Sequence, residues 1–160
     1  MDLKVRNKLW SINGSSTVED LNGKPYLRVD GKFLSATTKK FVRDLKGNLL
    51  YTVRNQIFYL WMRGAFIDDA NGQRICKVKR RFSFTTSFNI IGDQCDIKID
   101  GDFIGWNFSI IENGSVIATV RRKLDWTDCF ILSVNDEKDA AFAVALIIAI
   151  DNIIDAQRNS

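Results

Sequence analysis

The sequence predicts a mainly β protein, a closed antiparallel barrel of about twelve strands around a buried hydrophobic C-terminal helix, in one domain over residues 1–160. Three observations predict it. The run AAFAVALIIAI at 140–150 is apolar without interruption and is bounded by Asp139 and Asp151. A helix apolar on every face must be surrounded by apolar groups. Its residues rise only about 16 Å, well short of the ~30 Å of a bilayer core, so the surroundings are expected to be protein. The second observation is that the rest of the chain reads as short strands separated by turn residues, and the third is that these strands repeat. At 46% hydrophobic residues and a single proline, the chain is large enough to bury a substantial core.

Aligned on Gly23, Gly47, Gly72 and Gly114, the segments GKPYLRVDGKFLS, GNLLYTVRNQIFYLW, GQRICKVKRRFSF and GSVIATVRRKLDW fall into register. Each places a valine six residues after its glycine, at Val29, Val53, Val78 and Val120. A large apolar residue follows four further on, at Phe33, Ile57, Phe82 and Leu124. D-x-[NK]-G turns beginning at Asp20, Asp44 and Asp69 introduce the first three, and Glu112-Asn113-Gly114 introduces the fourth. Asn and Gly accept the positive φ of tight turns, so these are hairpin signals. Extra strands are expected around 95–98 and 102–111. The helix is expected over 136–154. Asn135 is placed to cap it, and Asp136, Glu137 and Asp139 put negative charge where the helix dipole favours it. Asp151 and Asp155 have the wrong sign for the far end and need a cation or water there.

The chain has no histidine, which removes the commonest general base and the usual transition-metal ligand. No GxxxxGK[ST] loop exists, and the adjacent Asp68 and Asp69 would point to opposite faces of a strand, so a turn suits them better than a catalytic pair. No catalytic residue, cofactor or metal site is expected. Cys76, Cys95 and Cys129 are widely spaced without CxxC and read as buried small hydrophobes in a reducing compartment. The start MDLKVRNKLW carries no signal segment, so the expected location is cytoplasmic or peripheral to a membrane, with no transmembrane segment. Phe58-Tyr59-Leu60-Trp61-Met62, followed by Arg63, fits an interfacial anchor or a strand buried on both faces, with core packing favoured. Phe82, Phe84 and Phe88 alternate as one strand face would, and Trp10, Trp106 and Trp126 read as core fillers.

The repeated D-x-x-G hairpins, IDGDFIGWNFSII at 99–111, WTDCFILSV at 126–134 and DAAFAVALIIAIDNI at 139–153 together resemble the LURP-one-related family. The resemblance runs from about Leu3 to Ile154. It implies the fold shared by the tubby C-terminal domain and the phospholipid scramblases, a twelve-stranded barrel around a buried C-terminal helix. Through the tubby relatives it also implies phosphoinositide binding by basic residues. No local motif here matches the tubby lipid-binding positions, so none is carried over.

Charge is the remaining clue. Residues 1–123 hold 21 Lys and Arg against 12 acids, a net of +9, whereas residues 124–160 hold 2 against 7, a net of −5. Cations gather just after the shared valines: Lys32 in the first repeat, Arg54 in the second, Lys79, Arg80 and Arg81 in the third, Arg121, Arg122 and Lys123 in the fourth. If the hairpins stack side by side, these form a basic band able to hold phosphates, and Lys79, Arg80, Arg81, Arg121, Arg122 and Lys123 are the expected ligand-binding residues. The competing reading is a solvated face, because alternation sends part of each triplet to the other side and a net charge of +4 is modest. The leading functional expectation is a non-enzymatic binding module for anionic phospholipid, or another phosphorylated small ligand, at a membrane surface. The alternative is a nucleic-acid or protein adaptor, supported by a pI of about 9.0. Nucleic acid is disfavoured by the absence of a long basic helix or tail. The sequence names no protein partner, and an enzyme ranks third.

Overall fold

A computed structural model of the chain describes residues 1–6, 15–32, 39–56, 64–81, 87–92, 96–102, 105–122 and 129–158. Trp10, Phe33, Ile57 and its aromatic run through Arg63, Phe82, Phe84, Cys95, Lys123, Leu124 and Trp126 lie outside them. Among the described residues the fold is mainly β, with antiparallel strands and one C-terminal helix. The strands are β1 (Asp2–Arg6), β2 (Ser15–Asp20), β3 (Pro25–Lys32), β4 (Lys39–Arg43), β5 (Leu49–Gln56) and β6 (Gly64–Asp69). They continue with β7 (Arg74–Arg81), β8 (Ser87–Gly92), β9 (Asp96–Asp102), β10 (Asn107–Glu112), β11 (Ser115–Arg122) and β12 (Cys129–Val134). Each pairs with its neighbours in sequence. β1 also pairs along its length with β12, from Asp2↔Ser133 to Arg6↔Cys129, and meets β2 at Leu3↔Asp20 and Lys4↔Glu19.

The repeats have one physical form. Asp20 Oδ1 accepts the backbone N–H groups of Asn22 and Lys24, and Asp69 Oδ1 those of Asn71 and Gln73, so the aspartate holds each turn closed. The fourth turn is tighter. Asn113 (φ 50°) and Gly114 (φ 80°) bridge Glu112 and Ser115, the two-residue primed geometry that Asn-Gly favours. All four shared valines, Val29, Val53, Val78 and Val120, are buried on the inner face. In the DGDFIGWNF stretch, a Cβ on Gly101 (φ 121°) would lie 2.6 Å from the Asn107 carbonyl oxygen, so glycine permits the close approach of β9 to β10.

The helix α1 (Ala140–Arg158) is buried from Ala143 through Asp151 and packs mainly on β5 and β6, less on β4 and β7. The inner faces of these strands carry small or medium residues, including Val42, Val53, Ala65, Cys76 and Val78. The wall of β10 to β12 supplies larger ones, Phe108 and Phe130, and Trp106 stacks on Phe130 with ring centroids 4.8 Å apart. The helix therefore sits off-centre, with aromatic rings filling the opposite side. Among the described residues no helix is long and apolar enough to cross a membrane.

Several expectations change in detail. Asn135 does not cap the helix: its backbone N–H donates to Ile117 O at 3.0 Å and its Nδ2 to Val116 O at 2.6 Å, which keeps it bound to β11. Asp136 takes the capping role for a 3-10 turn, Glu137–Asp139, accepting from the Lys138 N–H at 3.1 Å, and α1 begins after that turn. Tyr26 OH donates to Glu137 Oε1 at 3.0 Å, tying the turn to β3. Asp68 is not in the turn but within β6, where arginine covers it. Cys76 is buried as expected, whereas Cys129 is half-buried at the start of β12. The counterion required for Asp151 is a lysine from the wall. Lys40 is 2% exposed and Asp151 5% exposed. Burial pushes the Lys40 ammonium below the ordinary lysine value, and the negative charge of Asp151 opposes part of that shift. Lys40 Nζ lies 3.0 Å from where a Cβ on Gly31 would be, so glycine on the paired strand leaves room for the buried ammonium.

Ile147→Asp places an unpaired carboxylate in an apolar interior at a cost of several kcal/mol, against a typical domain stability of about 5–15 kcal/mol. The variant is expected to lose its cooperative thermal transition, and a folded, soluble product would overturn the enclosure of α1. Lys40→Met alone should cost about 3–5 kcal/mol by leaving Asp151 buried without its cation, while Lys40→Met with Asp151→Leu should recover much of it. Additive losses in that double-mutant cycle would separate the two residues. Tyr26 gives a pH signature, because burial and then Glu137 push its phenol up to about 12. The unfolded phenol ionises near 10, so the bond's contribution is present below pH 10 and falls away as pH rises toward 12. Tyr26→Phe should flatten that part of the stability curve relative to wild type, as followed by denaturant midpoints.

Candidate functional site

The strand order separates the two cationic triplets expected to act together. Lys79 is half-buried on β7, and Arg121 and Arg122 are exposed on β11. Arg80 and Arg81 pair with Phe88 and Ser87 of β8, and Lys123 lies beyond the described residues. Between β7 and β11 stand β8, β9 and β10, four inter-strand steps or about 19 Å at ~4.8 Å each. The outer face of β9 is acidic, with Asp96, Asp100 and Asp102 exposed and Lys98 drawn to Asp96 at 3.7 Å. Among the described residues, the strand order therefore does not bring the two triplets into one continuous basic band. The inserted strands carry carboxylates through the middle of it.

A different cluster assembles on the outer face of β4 to β7. Register alone aligns Lys39 with Arg54, Arg54 with Phe66 and Phe66 with Lys77 in one row across four strands. The Arg74 guanidinium lies 3.6 Å from the centre of the Phe66 ring and Lys77 Nζ 4.9 Å from it, so two cations share one aromatic ring. Asp68, with its side chain 6% exposed, lies beneath them. It accepts from Arg54 Nε at 2.6 Å and pairs with Arg54 Nη2 at 2.5 Å, while Arg74 Nε stands 3.6 Å from its other oxygen. The Lys77 ammonium is held below the ordinary lysine value, first by loss of water and then by the positive charges of Lys79 and Arg74. Like charges opposite or diagonal to one another across strands repel. This face can lower its own energy by taking an anion.

Of this cluster, Arg54 and Lys79 stand in the cationic rows read from sequence; Lys39, Phe66, Asp68, Arg74 and Lys77 do not. Alternation of Lys77 and Lys79 on one strand face was the available signal. The cross-strand row was not readable, because the bulge between Ile67 and Asp68 sets which residue of β7 faces Phe66.

An antiparallel wall of like hairpins laid on an all-apolar C-terminal helix, with cations gathered on its outer surface, defines a β-rich class of protein. Within it, the chain belongs to the LURP-one-related family, whose model matches residues 1–151. It is similar to YxjI of Bacillus subtilis (strain 168), with 23% identity over 155 residues covering 96% of this chain and 94% of that protein. It is also similar to Protein LURP-one-related 5 of Arabidopsis thaliana, with 29% identity over 168 residues covering 92% of this chain and 80% of that protein. In fold it is similar to the X-ray structure of an Arabidopsis thaliana protein, at a TM-score of 0.64 and 17% identity over 95% of this chain and 90% of that one.

Proposed function

We propose that the domain is a non-enzymatic module that binds the phosphate groups of an anionic phospholipid surface through the outer face of β4 to β7. In this reading the wall is a closed barrel of the tubby C-terminal kind, completed where β1 meets both β12 and β2, and it holds that face rigid around α1. The observation that carries the reading is the row Lys39, Arg54, Phe66 and Lys77 with Arg74 and Lys79 beside it. Five cations there face one carboxylate, Asp68, which Arg54 already engages. Phe66 orders two of the cationic heads without neutralising them, so they remain able to form charge-assisted hydrogen bonds to phosphate oxygens. Lipid is favoured over a phosphorylated small molecule because the cations lie spread along an outer strand surface, as a charged plane of headgroups requires. Arg121 and Arg122, on the far side of the acidic β9, add to general attraction and not to this site.

Flotation with phosphatidylcholine vesicles, with and without phosphatidylserine, tests the reading. Wild-type protein should float only with the anionic vesicles. The association should weaken as salt shortens the screening length from ~10 Å at 0.1 M toward ~3 Å at 1 M. Each Lys or Arg near such a surface is worth about 1 kcal/mol, so Lys77→Glu with Lys79→Glu should weaken binding at least thirtyfold. Arg121→Glu with Arg122→Glu should weaken it less. Unchanged flotation of the Lys77/Lys79 variant, or no flotation of wild type at low salt, would overturn the assignment. Tighter binding to a DNA duplex in parallel would favour the adaptor alternative.

A further inference from the structure

The end of the molecule where the hairpin turns meet the start of α1 carries two adjoining clefts, of about 520 and 530 Å³, that share Tyr51, Asp69 and Lys138. Together they form a groove from Tyr26 on β3, past Tyr51 and Phe142, to Glu112 at the β10–β11 turn. Its floor is apolar. Tyr51 and Phe142 lie with ring centroids 5.8 Å apart, tilted by 50°, and Leu27, Leu50 and Ile75 extend the surface.

Its charge is one-sided. Asp44, Asp69, Glu112, Glu137 and Asp139 line it against two cations, Arg74 and Lys138. Both cations are already engaged, Arg74 over Phe66 and near Asp68, and Lys138 with Asp136 at 3.1 Å. Asp44 and Asp69 hold their own turns, and Glu137 takes the Tyr26 hydroxyl. That leaves Glu112 and Asp139, whose side chains enter no hydrogen bond or ion pair among the described residues and meet the Lys138 charge only at longer range. Their field reaches the groove floor, since the Tyr51 phenol is pushed up by burial and then by Asp139, Asp69 and Glu112.

We propose that this groove docks a basic segment of a partner protein. Lysine or arginine heads meet Glu112 and Asp139, and their aliphatic stems and neighbouring apolar side chains lie over Tyr51 and Phe142. Charge complementarity argues for that occupant, because a surface with unengaged carboxylates around an aromatic floor attracts cations and repels acidic chains. Its volume argues the same way, being sized for several side chains of an extended chain and not for one small ion. Long basic side chains match such a floor because their stems cover apolar surface while their heads stay with the carboxylates at the rim. The inference does not rest on the anion-binding face, which has the opposite sign and lies on the side wall.

Fluorescence anisotropy with a labelled decapeptide of alternating Lys and Leu, beside its Glu and Leu counterpart, tests the proposal. The basic peptide should bind and the acidic one should not, with affinity falling as salt rises. Glu112→Gln with Asp139→Asn should weaken binding about tenfold, as expected for two partly exposed ion pairs. Lys138→Met should strengthen it, and Lys77→Glu with Lys79→Glu should not weaken it. Circular dichroism melts establish that each variant remains folded. Equal affinity for wild type and the Glu112/Asp139 variant would overturn the proposal, as would spermine binding as tightly as the peptide. A concentration-dependent dimer of the protein alone, dissolved by the same two substitutions, would assign the groove to a second copy and overturn the peptide reading too.

Discussion

The constraint on which this structure depends is that α1 has no polar face. From Ala143 to Ile150 every side chain is buried, so no orientation lets the helix lie on a sheet with one side in water. A flat sheet leaves half of such a helix exposed, whereas strands continuing around it do not. The four repeated valines meet this need by presenting one short, stiff side chain from each hairpin to the interior. Small residues on the strands that α1 touches let it come close, and Phe108, Phe130 and Trp106 occupy the side it leaves. Dense packing is thus obtained by dividing the interior between a helix and a group of aromatic rings.

Lys40 and Asp151 show how that constraint is relaxed at one point. An acid late in a helix opposes the dipole, and a charged group inside an apolar wall is expensive to dehydrate. Each residue alone is a fault in the pattern. Brought together, each supplies the charge the other requires, and the requirement ties the late part of α1 to β4. Apolar packing alone could tolerate a small slide of the helix along its axis. The attraction between two buried opposite charges penalises such a slide because it separates them.

The repeats also sort charge. Every repeat starts with a carboxylate at its turn, Asp20, Asp44, Asp69 or Glu112, and has cations near the opposite end of its second strand. Laid side by side in the same sense, the hairpins turn this alternation into unlike ends. The helix runs with the same polarity, its positive N-terminal end among the carboxylates and its negative C-terminal end toward the cations. This explains why the burial pattern was legible in sequence while the surface site was only half legible. Val29, Val53, Val78 and Val120 needed nothing beyond period and spacing. The basic rows needed the strand order, because β8, β9 and β10 come between the third and fourth repeats and bring Asp96, Asp100 and Asp102 with them. Phe66 and Lys77 needed the bulge that aligns them. Asn135 was misread as a cap because its competing bonds to β11 are long-range, and no local pattern announces them.

Filling the interior has a consequence for function. In an open barrel the lumen is the natural ligand site, since it is concave, dry and lined from many strands. Here α1 and the aromatic side chains occupy the inner side of the wall, and among the described residues the two charged groups buried there, Lys40 and Asp151, act on each other. The surfaces the core leaves free are the outer faces of the strands and the ends where turns and helix meet, and the proposed sites lie there. These surfaces gain rigidity from the enclosed helix without giving up any of its packing. The outer row on β4 to β7 and the groove above Tyr51 are therefore fixed by one core and carry opposite signs. On the two proposals, the anionic surface on the side and the cationic chain at the end would not compete, because neither location draws on the residues of the other except Arg74, which reaches both.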